Sequence, residues 1–386
     1  LVLAETATRL LECCPQADAV ARLGGDEFLV VLADLDEAHE SVALGEKIVS
    51  ALSEPIAVPG GKFVPSASVG IAWAPRGAGS VADLLHRADL AVYRAKAAGK
   101  CRVEVYDEHL HQAVQHRAWV ESGLEKAIES SQLELWYQPI VTVGSGRVSG
   151  LEALVRWRDH DGKLIPPDSF ISIAERTNLI LEVDRWVIGN ALTELAGWQD
   201  DPAMRGIGVS VNISGRHLVA GDLVRTVGSA MERVGAPDGG LTIELTETEL
   251  LDDLDTAASI TQGLHGLGAG VAIDDFGTGY LSVAHLRRLA IDRLKIDRTY
   301  VAALNDPTDR SITELMVWLG RTLRLDVVAE GVETDQQLET MSRIGCTHAQ
   351  GYLLARPMPA ADVAAWVAAA DSSLLEQFAP VSSTEA

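Results

Sequence analysis

Seven apolar runs in the last two-thirds of the chain end in, or carry, a side chain able to do chemistry: Glu152, Asn212, Glu244, the adjacent pair Asp274-Asp275, Lys295, Glu330 and Gln350. One acid after a strand is most often a helix cap or a solvated turn. Carboxylates, amides and a lysine on seven runs in succession are better explained by one shared mouth. So many carboxylates in one cavity cannot all stay ionised unaided, because neighbouring like charges raise one another's pKa. Oxygen donors with no His or Cys among them favour hard cations such as Mg²⁺ or Mn²⁺. Adjacent Asp274 and Asp275 suit two ions sharing a bridging carboxylate, the ~3.5–4 Å arrangement that cleaves phosphate esters in line. Lys295 is either a salt-bridged structural lysine or a cation that holds the attacking water and stabilises phosphoryl charge. Asp275-Phe276-Gly277-Thr278-Gly279-Tyr280 reads as a loop over the site and lacks the third glycine of a dinucleotide fingerprint.

These residues need elements to aim them. From Leu133 onward, β-rich runs at 133–141, 147–157, 207–213, 241–245, 271–273, 293–296, 327–329 and 349–354 alternate with helical stretches. About eight such units over roughly 240 residues predict a (β/α)8 barrel, in which strand C-termini converge on one face. A doubly wound open sheet is the competing α/β arrangement. The first 106 residues predict a smaller α+β domain: strands 19–23 and 27–32 around Gly24-Gly25, helix 41–53, strand 64–74, helix 81–98 and strand 103–106. Residues 107–130 read as a helical linker, 131–370 as the barrel and 371–386 as a frayed tail.

The chain has 386 residues and a formal net charge of −23. Such an acidic surface argues against binding nucleic acid through its phosphate backbone. An anionic substrate would have to be admitted by borrowed cations. No run approaches ~18 apolar residues, and only four cysteines, without metal or redox spacing, suit a reducing compartment, so a cytoplasmic location is expected. The first residue is Leu1, inside a helical pattern, which suggests a fragment lacking an upstream sensory domain; the longer protein could be membrane-tethered.

Glu152-Ala153-Leu154 within LEALVRW, Glu244-Leu245-Thr246-Glu247, Asp274-Asp275-Phe276-Gly277-Thr278-Gly279, Lys295-Ile296-Asp297, Glu330-Gly331-Val332-Glu333 and Gln350-Gly351-Tyr352 together resemble the EAL-domain cyclic di-GMP phosphodiesterases. That resemblance implies a TIM-like barrel with its first strand antiparallel and metal-dependent hydrolysis of cyclic di-GMP to linear pGpG. It implies one ion on Glu152, Asn212, Glu244 and Asp274, and a second on Asp274, Asp275 and Glu330, with a water between them as nucleophile. Lys295 would orient that water and Glu330 help deprotonate it. Glu247 would tether the 275–280 loop, Arg156 contact a substrate phosphate, and Gln350 and Glu333 complete the rim. A homodimer through the loop after the acidic pair is expected. Replacement of Glu152, Asp274 or Lys295 should abolish turnover and leave the fold intact.

Gly24-Gly25-Asp26-Glu27-Phe28, Ser68-Val69-Gly70-Ile71-Ala72 and Ala88-Asp89-Leu90-Ala91-Val92-Tyr93 resemble the later two-thirds of a GGDEF diguanylate cyclase domain. The resemblance implies GTP as a ligand of this domain, with Asp26 or Glu27 serving a metal. The family's first strand would precede Leu1, and Pro15 stands where its feedback site has Arg, although Asp18 is kept. Two rivals stay open: a bifunctional enzyme in the longer protein, and a silent nucleotide-binding scaffold.

Overall fold

The computed structural model describes residues 1–33, 38–59, 61–74, 80–97, 99–130, 132–279 and 281–377, with the side chains of 38–40, 108–115, 252 and 371–377 left aside. Tyr280 and the tail beyond Gln377 therefore lie outside the described residues. The chain divides into two units, Leu1–Trp119 and Val120–Ala386, each described by itself.

In the first unit, strands Ala19–Gly24 and Glu27–Val31 form an antiparallel hairpin. Strands Ile56–Val58 and Gly61–Phe63 form a second, which the sequence pattern did not indicate. Val69–Ile71 pairs in parallel with Val103–Val105, so only part of the strand expected over 64–74 is in a ladder. Helices Val2–Cys13, Ala38–Leu52 and Val81–Ala97 accompany them. Leu10, Cys13, Cys14, Ile48 and Leu52 form a small core. Asp18 accepts a hydrogen bond from the Ala33 N–H (2.6 Å), a strand-end role.

The second unit is an eight-stranded closed barrel. Its staves are β1 (Leu133–Thr142), β2 (Val148–Arg158), β3 (Gly208–Asn212), β4 (Leu241–Thr246), β5 (Gly270–Phe276), β6 (Arg293–Ile296), β7 (Asp326–Ala329) and β8 (His348–Ala349). β2 through β8 run parallel, and β1 closes the ring antiparallel to both β2 and β8. The parallel staves are short apolar runs because helices cover one face and the barrel interior the other. Val209, Val211, Ile243, Leu245, Ile273, Leu294, Ile296 and Val327 are accordingly buried, each contributing about 1.5–3 kcal/mol by leaving water.

Helix Glu108–Glu129 covers most of the expected linker, and its later part, through Val120, Leu124 and Ala127, belongs to the barrel core. The last helix, Ala360–Gln377, continues seven residues into the segment expected as a frayed tail.

Polar side chains after the staves start helices. Ser214 caps Gly215–Ala220, Asp297 caps Arg298–Ala302 and Thr334 caps Asp335–Ile344. Each cap fixes where the chain leaves the strand, and so fixes the direction of the strand's last side chains.

Candidate active site

Strand register sets the acids side by side. Asn212 on β3 pairs with Glu244 on β4, and Thr246 with Asp274 on β5. Successive strand residues normally point to opposite faces. The Asp274-Asp275 pair escapes that rule because the β5–β6 register is broken between Ile273 and Phe276, and Asp275 adopts a left-handed φ of +50°. Such a bulge re-aims side chains at barrel rims, and here it brings two consecutive carboxylates to one mouth.

Two groups of acids result. Carboxylate oxygens of Glu152, Glu244 and Asp274 lie within 4.8 Å of one another, as do those of Asp274, Asp275 and Glu330. Lys295 stands among them, wholly buried, with Nζ 2.6 Å from Glu244, 2.7 Å from Glu330, 3.0 Å from Asp274 and 3.5 Å from Glu152. Asn212 Nδ2 donates to Glu152 Oε1 (2.7 Å), and Gln350 Nε2 donates to Glu152 Oε2 (2.6 Å).

One lysine does not balance five carboxylates. Burial, reinforced by the charges of Glu152 and Asp274, pushes Glu244 up to about 8. Burial with the charge of Asp274 pushes Asp275 up to about 6, and Glu330 rises well above the carboxylate range chiefly through burial, with Asp274 and Glu152 adding. Burial also acts on Glu152, but Lys295 and the amides of Gln350 and Asn212 outweigh it and lower its pKa. Lys295 is held protonated: burial opposes its charge, and Asp274, Glu152, Glu244 and Glu330 overcome that opposition. Glu244 Oε1 is buried with no hydrogen-bond partner, while Asp274 Oδ1 has only the Lys295 ammonium at 3.0 Å. An orphaned acceptor of this kind calls for a cation or a proton.

The loop after the pair is held from below. Glu247, buried at the start of helix Glu247–Asp252, accepts from the backbone N–H groups of Gly277 (2.9 Å), Gly279 (3.1 Å) and Leu281 (2.5 Å). Gly277 has φ +104°, and a Cβ there would lie 2.4 Å from Met316 Cε. Only glycine fits.

An EAL domain family profile matches residues 121–357, well over half the chain. The chain belongs to the EAL-domain family. A second profile, for the diguanylate cyclase GGDEF domain, matches residues 1–102. The chain is 38% identical over 369 residues to the bifunctional diguanylate cyclase/cyclic di-GMP phosphodiesterase MucR of Pseudomonas aeruginosa, covering 95% of this chain and 54% of that protein. It is 35% identical over 368 residues to the cyclic di-GMP phosphodiesterase PdeR of Escherichia coli, covering 95% and 55%. It thus spans about half the length of the curated relatives it matches. A solved structure of the PaMucR phosphodiesterase in its c-di-GMP complex aligns with a TM-score of 0.61 at 40% identity, over 63% of this chain and 99% of that one. The EAL domain of Mycobacterium smegmatis DcpA aligns with a TM-score of 0.53 at 34% identity, over 62% and 97%.

Within this EAL barrel, the expected rim residues are placed unequally. Gln350 is buried against Glu152. Arg156 is half-buried, its guanidinium 5.9 Å from the Trp136 ring centroid and donating to the Val155 carbonyl. Glu333 is exposed on the turn beyond Glu330, with its N–H donating to Gln337 Oε1. Neither acidic group includes it. In the first unit Gly24, Gly25, Asp26 and Glu27 are exposed on the hairpin turn, with Phe28 half-buried; Gly25 has φ +52°, and Arg22 donates from its guanidinium to the Gly25 carbonyl.

Sequence reasoning missed Gln138. It faces Glu152 across the β1–β2 ladder, accepts from Gln350 Nε2 (3.1 Å) and donates to the Ala355 carbonyl (3.0 Å). A glutamine inside the apolar run Leu133–Val141 was the available signal, hidden because β1 runs the other way and meets the mouth before its end.

Proposed function

We propose that the chain hydrolyses cyclic di-GMP to linear pGpG at the mouth of its EAL barrel. The observation that carries this reading is the pair of acidic groups sharing Asp274 around a buried lysine. The donors fit Mg²⁺ or Mn²⁺: every one is an oxygen, and the buried Glu244 Oε1 stands without a partner. Glu152, Asn212, Glu244 and Asp274 would hold one ion; Asp274, Asp275 and Glu330 would hold the other. Two such cations polarise a phosphoryl oxygen and lower the pKa of an attacking water.

The chain's own residues do the rest. Lys295 keeps an ammonium at the centre of the carboxylates, where it can hold the attacking water and favour charge on the phosphoryl oxygens. Glu330, with its affinity for protons raised, suits the role of base. Gln350 and Asn212 fix both oxygens of Glu152. Glu247 holds the 275–281 loop through three backbone bonds. Arg156 is assigned to a substrate phosphate and Glu333 to the rim.

The same reading includes a homodimer through the loop and helix Pro307–Leu323, supported by Leu315 and Trp318 on that helix, each 64% exposed, and by the apolar groove that Leu315 lines with Phe276, Leu281 and Leu319. Trp318→Glu should then shift the sedimentation coefficient to that of a monomer. Free cysteines at Cys13, Cys14, Cys101 and Cys346 support a cytoplasmic setting. Among the described residues no helix is long and apolar enough to cross a membrane. The GGDEF unit is assigned GTP as a modulating ligand.

The test is cyclic di-GMP turnover in Mg²⁺ or Mn²⁺ by the wild type and by Glu152→Ala. Linear product from the first and none from the second supports the reading. Equal turnover by both would remove Glu152, and the acidic groups with it, from the chemistry.

A further inference from the structure

The short helix Arg298–Ala302 touches both turns that supply the second acidic group. At its start, the Asp297 carboxylate caps the helix, accepting from the Thr299 N–H at 2.9 Å. One turn further on, the Tyr300 hydroxyl donates to the Gly277 carbonyl at 2.6 Å. On the other side the helix abuts Gly331, the residue after Glu330: Gly331 has φ +65°, and a Cβ there would lie 2.6 Å from Arg298 Cβ. Gln337 closes that side. Its Nε2 donates to the Val301 carbonyl (3.3 Å), while its Oε1 accepts from the Glu333 and Thr334 N–H groups (2.8 and 3.0 Å).

The Asp275–Gly277 turn needs such support. Asp275 is a non-glycine residue in the left-handed region, a conformation that persists only when its surroundings over-determine it. Glu247 holds the turn by its N–H groups. On the carbonyl side, Thr278 donates to the Asp275 carbonyl (2.9 Å) from within the turn, and Tyr300 donates to Gly277 from outside it. Tyr300 thus adds a side-chain bond from the turn to the helix, which abuts the residue after Glu330.

We propose that Tyr300 is a positioning residue that sets the spacing of Asp275 from Glu330, so that cation affinity of the Asp274–Asp275–Glu330 group depends on its hydroxyl. The inference rests on the two-cation reading given above. Tyr300 touches neither substrate nor cation and acts through the Gly277 carbonyl. Residues that orient metal ligands in this indirect way change affinity by about 10–100-fold. A single hydrogen bond to backbone belongs at the lower end.

The test is equilibrium Mn²⁺ binding to the metal-stripped chain, with free Mn²⁺ counted by electron paramagnetic resonance. The wild type should show two sites. Tyr300→Phe keeps the ring beside Gly277 but removes the donor; it should weaken one site about tenfold and leave the other unchanged, with the thermal midpoint of the metal-free protein close to wild type. Tyr300→Leu should weaken the same site at least as much. Unchanged binding in Tyr300→Phe, or equal weakening of both sites, overturns the proposal. A wild type that binds no Mn²⁺ overturns the two-cation reading itself, and this inference falls with it.

Discussion

Lys295 Nζ lies 2.6 Å from Glu244 Oε2, and both side chains are buried to within 1% of complete exclusion from solvent. This contact centres an ammonium in a ring of carboxylates. It makes one side chain answerable for both the charge of the site and the stability of the barrel.

Replacement of Lys295 by Met should lower turnover by about 10²-fold or more, the usual size of a lost electrostatic group. The expectation that the fold would be untouched needs correction, because Lys295 is buried among four acids rather than perched at a strand end. Breaking a buried pair by removing one partner costs about 3–5 kcal/mol. Calorimetry of Lys295→Met without metal should therefore show a lower midpoint, partly restored by Mn²⁺. A wild-type rate in this variant would return Lys295 to a purely structural role.

The metal-free barrel should lose stability as pH rises. Glu244, Asp275 and Glu330 bind protons more tightly folded than unfolded, so their contribution is full below their ordinary carboxylate pKa values and fades as pH passes about 6 for Asp275 and about 8 for Glu244. Asp184, buried beside His217 and pushed up to about 6, acts in the same direction. Glu152 has the opposite sign, but its window lies below its ordinary value. Thermal midpoints measured without metal should fall between about pH 5 and about pH 8, and saturating Mg²⁺ should flatten most of that slope. A midpoint that climbs through this window without metal contradicts the assignment.

Glu247→Ala leaves three N–H groups of the loop without their acceptor, at about 1–3 kcal/mol for each one that stays buried. Turnover should drop by about tenfold or more, and hydrogen exchange should speed up at Gly277, Gly279 and Leu281 while the barrel staves stay protected. Unchanged kinetics would strip Glu247 of its tethering role.

Calcium should bind yet inhibit, since it prefers longer bonds and looser coordination than an in-line transition state tolerates. Turnover in Ca²⁺ equal to that in Mg²⁺ would count against two closely spaced hard cations.

Asp26→Ala and Glu27→Ala alter an exposed hairpin turn of the first unit, whereas both acidic groups draw on residues 152–330. Hydrolysis of cyclic di-GMP by either variant should stay within a few fold of wild type. A severe loss would show that the turn acts on the barrel.

The acids were legible in the sequence because each ends or interrupts an apolar run, and a barrel brings such runs to one mouth. Asp275 was legible as a residue but not as a geometry: the broken register after Ile273 and the +50° φ arise only when β5 meets β6. Gln138 escaped because β1 is antiparallel, so the mouth falls in mid-strand. Tyr300 escaped because it acts through a backbone carbonyl, which leaves no mark of residue type at Gly277. In the first unit, Pro55 and Pro59 made Ile56–Val58 look like loop, while the apolar residues of 64–74 suggested more ladder than Val69–Ile71 forms.

Hydrolysis of a cyclic dinucleotide at this mouth should depend wholly on divalent cations. The purified chain should be chelated, incubated with cyclic di-GMP, and its products separated before and after Mg²⁺ or Mn²⁺ is restored. Linear pGpG that appears only after cations return is the predicted result. Full conversion in the chelated sample, or intact cyclic di-GMP in the presence of either cation, would contradict it.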